Sequence, residues 1–278
     1  MRRLVLLLLV FFALPCAAQD APQSPVEVST VQRAPAVYAI QAVNRWEGPV
    51  EVRVKLSAQS SNVVASPALP AQWVLTAHQT MVLSTIKSAD PTRPGNFALE
   101  VEAVPGSPLA THNPNTPYAW PLPNGAGRID QGFGGQLSHF DAENYYAIDI
   151  TAPLNTPVLA ARAGLVMATE DRFTQGGLDP ALKTRTNYVR ILHEDGTMGV
   201  YVHLAPHSLR VVAGQRVITG QPLASLGGVG YASGPHLHFA VQQNINLSLH
   251  AIPFKMFQPK NAASGLVVVH PRPLILAR

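Results

Sequence analysis

The chain has 278 residues, 47% hydrophobic and 13% charged, with a formal net charge of +4 and one cysteine. Such a composition excludes a disordered chain, and the length allows one or two domains. A single cysteine excludes a disulfide framework and a Cys-built zinc site. The basic residues (among them Arg45, Lys55, Lys87, Arg162, Arg210 and Arg216) are scattered and mark no nucleic-acid surface.

Residues 1–18 read as a cleaved signal peptide: Arg2 and Arg3, an apolar run from Leu4 to Leu14, then Cys16-Ala17-Ala18. The run is too short for a permanent membrane anchor, and Pro15 makes Cys16 a poor lipidation site. Cleavage after Ala18 removes the only cysteine and, with Arg2 and Arg3, lowers the formal charge to +2. It predicts a secreted or periplasmic protein with no thiolate chemistry.

Residues 19–108 alternate short β-type runs with turn residues. The predicted strands are 36–40, Val50–Leu56, 72–75, 81–83 and 97–101, and this spacing predicts a small β-sandwich resembling an immunoglobulin fold. Its lone His78 reads as a solvated loop residue. Binding of glycan, binding of a wall-associated protein, spacing, and shielding of a groove all stay open for this half. Pro105 to Pro123 holds six prolines, so residues 109–124 read as an extended linker. Residues 125–262 form a second unit, again all-β, and 263–278 a C-terminal tail. Within it, 188–193 and 198–204 read as a β-hairpin around Glu194-Asp195-Gly196-Thr197, with Gly214 and Gly220 at later corners. No stretch carries a sustained 3.6-residue apolar period. Short helices are predicted at most near 174–182 and 252–257.

Chemistry concentrates in the second unit. In Gly234-Pro235-His236-Leu237-His238-Phe239 two imidazoles stand two residues apart on one strand face, with Leu237 and Phe239 opposite. A metal ligand beside a proton-handling imidazole is the functional reading, and two surface histidines the bland one. Asp149 lies between Ile148 and Ile150 and faces away from their core. A carboxylate there is costly unless paired or bound to a cation, although a strand-end cap on the Thr151-Ala152-Pro153 turn is the simpler account. His139, after Gly132-Phe133-Gly134-Gly135, can be brought beside it. In the strand 200–204, Val200, Val202 and Leu204 predict one face, Tyr201 and His203 the other. His112, His193, His207, His250 and His270 read as solvated.

The run Asp149–Val166, the strand Tyr201-Val202-His203-Leu204, the Gly214/Gly220-Gln221 spacing and the segment Leu226–Phe239 together resemble the lysostaphin-type zinc metallopeptidases, also called LytM-domain or family 23 metallopeptidases. The resemblance spans roughly residues 125–260. It implies a compact antiparallel β fold with a groove, one Zn²⁺ and hydrolysis of peptide cross-links in bacterial peptidoglycan. By it Asp149 and His238 are zinc ligands, and His203 and His236 the catalytic pair. Many members place the first ligand four residues before the Asp, where this chain has Tyr145. His139 is the nearest alternative and takes the role here. Two other readings follow from the same residues: a silent module that activates other wall hydrolases, and a secreted protease aimed at other organisms' walls or proteins.

Overall fold

The computed structural model describes residues 24–259 and 266–269, so the expected signal peptide and His270 lie outside it. Among the described residues there is no α-helix, and nearly all regular structure is β. The first unit is a seven-stranded sandwich. One sheet runs in the order Val26–Ala34, Val37–Asn44, Thr80–Ser88, Val63–Ser66, and the other in the order Ala71–Leu75, Val50–Leu56, Leu99–Pro105. Val26–Ala34 and Val63–Ser66 add to the five strands read from the sequence. Ile40, Val50, Val52, Val54, Leu75, Leu83 and Ile86 fill the space between the sheets.

The second unit is built on one large antiparallel sheet. Its order is Arg216–Val217, Gly164–Glu170, Tyr188–Leu192, Met198–Val202, His236–Asn244, Ile148–Thr151 and Arg128–Gln131, with Leu249–Ala251 also on His236–Asn244. Period-2 alternation separates its faces. Ile148, Ile150, Val189, Ile191, Tyr201, Leu237, Phe239 and Val241 enter one core. That core is closed by the ribbon Pro157–Leu159 with Pro222–Ser225 and by Phe254. The phenol of Tyr201, fully buried, accepts a hydrogen bond from Ala161 N at 2.7 Å.

Several sequence expectations are corrected. The stretch 109–124 is no free linker: Pro117–Ala119 pairs in parallel with Lys255–Pro259, and Tyr118, Trp120 and Leu122 are buried in the second core. Proline favours extended backbone, which an edge strand accepts, so the same composition serves a strand. The segment 252–257 contributes that strand rather than a helix. Residues 266–269, expected as tail, pair with Lys255–Pro259. The other predicted helix is a short 3-10 turn, Pro180–Thr184.

The two units also share a core. Met167 and Met198 of the large sheet are fully buried in the sandwich cluster. Glu51, in the sandwich, accepts from Asn244 Nδ2 and from Leu247 N, both at 2.9 Å. Met198→Ala therefore removes packing from both units and is expected to cost about 2–5 kcal/mol. Urea unfolding followed by the fluorescence of Trp46 and Trp73, which pack on that cluster, checks this.

His193, expected to be solvated, is 3% exposed. Its Nδ1 donates to Ala163 O at 2.9 Å. Burial first, and the nearby Arg162 second, push its pKa down to about 4. An unfolded histidine near 6.5 protonates before the folded one does. Stability from this group is therefore complete above pH about 6.5 and falls as pH drops toward about 4, by roughly 3 kcal/mol. Urea melts across that window are expected to show a shallower pH slope for His193→Gln than for the wild type.

Candidate metal centre and active site

The strand Ile148–Thr151 pairs with His236–Asn244 in a register that sets Asp149 opposite His238 and Thr151 opposite His236. Directly opposed residues have Cβ atoms about 4.5–5.5 Å apart, so the pairing alone brings the carboxylate to the imidazole. His238 Nδ1 lies 2.9 Å from Asp149 Oδ1. The Gly-rich turn after Arg128–Gln131 carries His139 into the same place, with Nε2 3.2 Å from Asp149 Oδ1 and 3.3 Å from His238 Nδ1. His139 is fully buried. Tyr145 stays out of the cluster, half exposed, with its ring against Gly134.

A carbonyl oxygen only accepts, so any ring nitrogen facing one carries the proton. His139 Nδ1 faces Gly132 O at 2.9 Å, which turns its Nε2 toward the cluster. His203 Nδ1 faces Val229 O at 2.8 Å and His236 Nδ1 faces Gly234 O at 2.9 Å. In its neutral form each of these two rings therefore has its free nitrogen at Nε2. His236 Nε2 is 3.9 Å from Asp149 Oδ1, and the rings of His203 and His236 are centred 4.6 Å apart.

Electrostatics follow from these contacts. Burial raises the pKa of Asp149, but hydrogen bonds from His139 and His238 outweigh it and hold the carboxyl well below the usual range. Burial, reinforced by His236 and His238, pushes His203 down to about 3 and keeps that ring neutral. Two imidazole nitrogens and one carboxylate oxygen thus converge with mutual separations of 2.9–3.3 Å. A tetrahedral ion with bonds near 2.0–2.2 Å sets its ligand atoms about 3.3–3.6 Å apart, so this donor set fits Zn²⁺ after a small expansion. No other group of three or more His, Cys, Asp or Glu among the described residues converges in this way.

His203 arrives by a route other than strand alternation. The strand ends at Val202, and Tyr201 faces the core rather than sharing a face with a solvent-side histidine. His203 adopts φ +66°, a left-handed conformation uncommon for a residue with a side chain. Continuing the strand would send its ring into the core beside Tyr201. The reversal turns it to the face of His236 and His238. The Gly-rich segment holds this arrangement: Val229 O receives His203, and Gly227 O receives His236 N at 3.1 Å. A Cβ on Gly227 would lie 2.5 Å from Ala205 N, so the approach needs glycine.

Gln131 was not evident from the sequence. Its amide nitrogen donates to Asp149 Oδ2 at 2.8 Å and to Ser138 Oγ at 2.7 Å, and its Oε1 accepts from Leu137 N at 3.0 Å. It occupies the outer carboxylate oxygen and ties the His139 turn to it. The one local signal is Gly135, where a Cβ would lie 2.2 Å from Gln131 Cγ. A cavity of about 520 Å³ opens beside the cluster. Its wall includes His203, His238, Tyr188, Val202, Tyr231 and Arg190.

Residues 143–248 match the family model of Peptidase family M23. The chain carries an M23 peptidase domain. His139 lies just before the matched span, and Asp149, His203, His236 and His238 lie within it. Among curated relatives, the peptidoglycan DD-endopeptidase ShyC of Vibrio cholerae is 35% identical over 91 residues, 33% of this chain and 18% of that protein. The peptidoglycan DD-endopeptidase ShyA of the same organism is 31% identical over 122 residues, 43% of this chain and 26% of that protein. The chain thus matches about a fifth to a quarter of the length of these relatives. Among solved structures, the catalytic domain of the antimicrobial peptidase lysostaphin from Staphylococcus simulans aligns with 23% identity and a TM-score of 0.34, covering 46% of this chain and 88% of that one.

Gln131→Ala removes the bond to Oδ2 and the tie to the His139 turn of the M23 domain. Loss of such outer partners typically weakens metal affinity about 10–100-fold. Competition of the purified variant against a zinc-chelating dye is expected to show this drop.

Proposed function

We propose that the chain is a zinc metalloendopeptidase that hydrolyses peptide bonds of bacterial peptidoglycan after export from the cytoplasm. His139, Asp149 and His238 hold the zinc, and His203 and His236 form the catalytic pair. The observation that carries this reading is the convergence of His139 Nε2, Asp149 Oδ1 and His238 Nδ1 at the cavity of an M23 domain. The relatives ShyC and ShyA are named as peptidoglycan DD-endopeptidases. Export rests on the sequence of residues 1–18. Among the described residues no helix is long and apolar enough to cross a membrane.

Zinc in this donor set supplies Lewis acidity, polarising a carbonyl and making water more acidic. The protein supplies the rest. Asp149 contributes one oxygen, because Gln131 occupies the other. With Nδ1 of each held by a backbone carbonyl, the neutral forms of His203 and His236 offer Nε2 as the proton acceptor. One accepts a proton from the attacking water and returns it to the leaving amine. The other, carrying an Nε2 proton taken up from the solvent of the open cavity, donates a hydrogen bond to the oxyanion of the tetrahedral intermediate. Backbone carbonyls fix both tautomers, so neither ring needs to flip during turnover.

Four alanine variants test this division of labour. His203→Ala and His236→Ala are expected to keep about one zinc per chain while losing roughly 10²–10⁴-fold in turnover of purified peptidoglycan fragments. Asp149→Ala and His238→Ala are expected to lose the metal, since two protein ligands hold zinc poorly. Metal content measured beside fragment cleavage decides the assignment. Zinc retained by His238→Ala and lost by His236→Ala would reverse it.

A further inference from the structure

The cavity beside the proposed zinc site contains a cation that the proposed hydrolysis does not use. Arg190 lies between Val189 and Ile191, which enter the core, so its side chain takes the opposite face of the sheet, the face of His238. Register places Tyr188, Val202 and His238 in one row across three strands. Arg190 starts the next row, about 7 Å further along and two strand spacings, about 10 Å, across.

Arg190 is 7% exposed, and its guanidinium pairs with no carboxylate within ion-pair distance among the described residues. Nη1 donates to Gln242 Oε1 at 2.7 Å and approaches Met198 Sδ at 3.8 Å. Nε is buried with no partner. Nη2 has no hydrogen bond among the described residues, and Arg190 lines the cavity, so this nitrogen is the donor left for a substrate oxygen. Glu143, in the same cavity wall, acts on the guanidinium through its charge from beyond ion-pair distance, and its Oε1 lies 3.4 Å from Gln242 Nε2. Asp141 also lines the cavity, and so does Lys183, whose ammonium sits 5.3 Å from the centre of the Tyr231 ring.

A buried cation without an anionic partner is costly, and here it stands in the wall of an open cavity. We infer that Arg190 is a specificity subsite that binds a carboxylate of the substrate peptide, within two to four residues of the bond that is cut. An extended peptide advances about 3.3–3.6 Å per residue, which matches the offset between the rows. The inference rests on the peptidase reading and names its substrate class: peptides bearing a free carboxylate near the scissile bond, in preference to the same peptides amidated.

The test uses the zinc-loaded full chain and cross-linked peptide fragments from purified peptidoglycan, with their carboxylates free or converted to primary amides. The wild type is expected to favour the free acid by about 10–100-fold in kcat/KM, the scale of a hydrogen bond between charged groups. Arg190→Met should bring that ratio close to one with zinc content unchanged, and Lys183→Met should preserve it. Equal rates on acid and amide by the wild type, or a preference that survives Arg190→Met, overturn the inference. If the wild type cuts neither fragment, the peptidase reading fails, and calorimetric binding of the same two fragments decides the subsite. Tighter binding of the acid, lost in Arg190→Met, supports it. Equal binding or none overturns it.

Discussion

One antiparallel pairing underlies the site. Ile148–Thr151 against His236–Asn244 sets Asp149 across from His238 and, one pleat away, Ile150 across from Leu237. The same register anchors the core and assembles the His–Asp–His cluster, so the cluster-facing and core-facing residues cannot slip independently. A one-residue shift would bury both imidazoles and expose Leu237 and Phe239. The cost of burying Asp149 is offset by three partners: His139, His238 and Gln131. Withdrawing one leaves a buried charge short of hydrogen bonds. The carboxylate is thus the element on which the placement of the other groups depends.

Strand pairing positions donors on one face, but a catalytic centre also needs groups arriving from the side. Two backbone devices provide them. The left-handed residue His203 ends its strand and redirects the ring toward His236. The segment 227–234 comes close enough to offer its carbonyls to both rings, which Gly227 permits. Each of these two imidazoles is then held by a backbone carbonyl rather than by a mobile side chain. Backbone acceptors cost little additional ordering, since the sheet has already fixed them.

The face that carries these histidines continues past Arg190 and Gln242 to Met198 and Met167, where the sandwich is packed. The first unit therefore closes one end of the same surface on which the cavity opens. Glu51 reaches across to the Asn244–Leu247 turn, giving the junction polar contacts as well as apolar ones. Two cores joined through two methionines make the cavity end a property of both units.

Much of the site was legible in local sequence because period-2 alternation converts spacing directly into facing. His236 with His238, and Asp149 between two isoleucines, needed only that rule, and the all-β class followed from the absence of helical periodicity. Tertiary structure alone decided where long-range pairing and backbone reversals intervene. His139 lies ten residues before Asp149, and no local rule measures the path of a Gly-rich turn. His203 reaches the site by a positive φ that alternation cannot anticipate. Gln131 has no chemical signature until its partner is known. Tyr118 and Trp120 lie in a stretch whose prolines suggest a linker, and only a distant strand, Lys255–Pro259, makes them core. Sequence by itself determined which residues share a face. Which faces meet was decided by hydrogen bonds between segments a hundred residues apart, and those depend on the whole chain having folded.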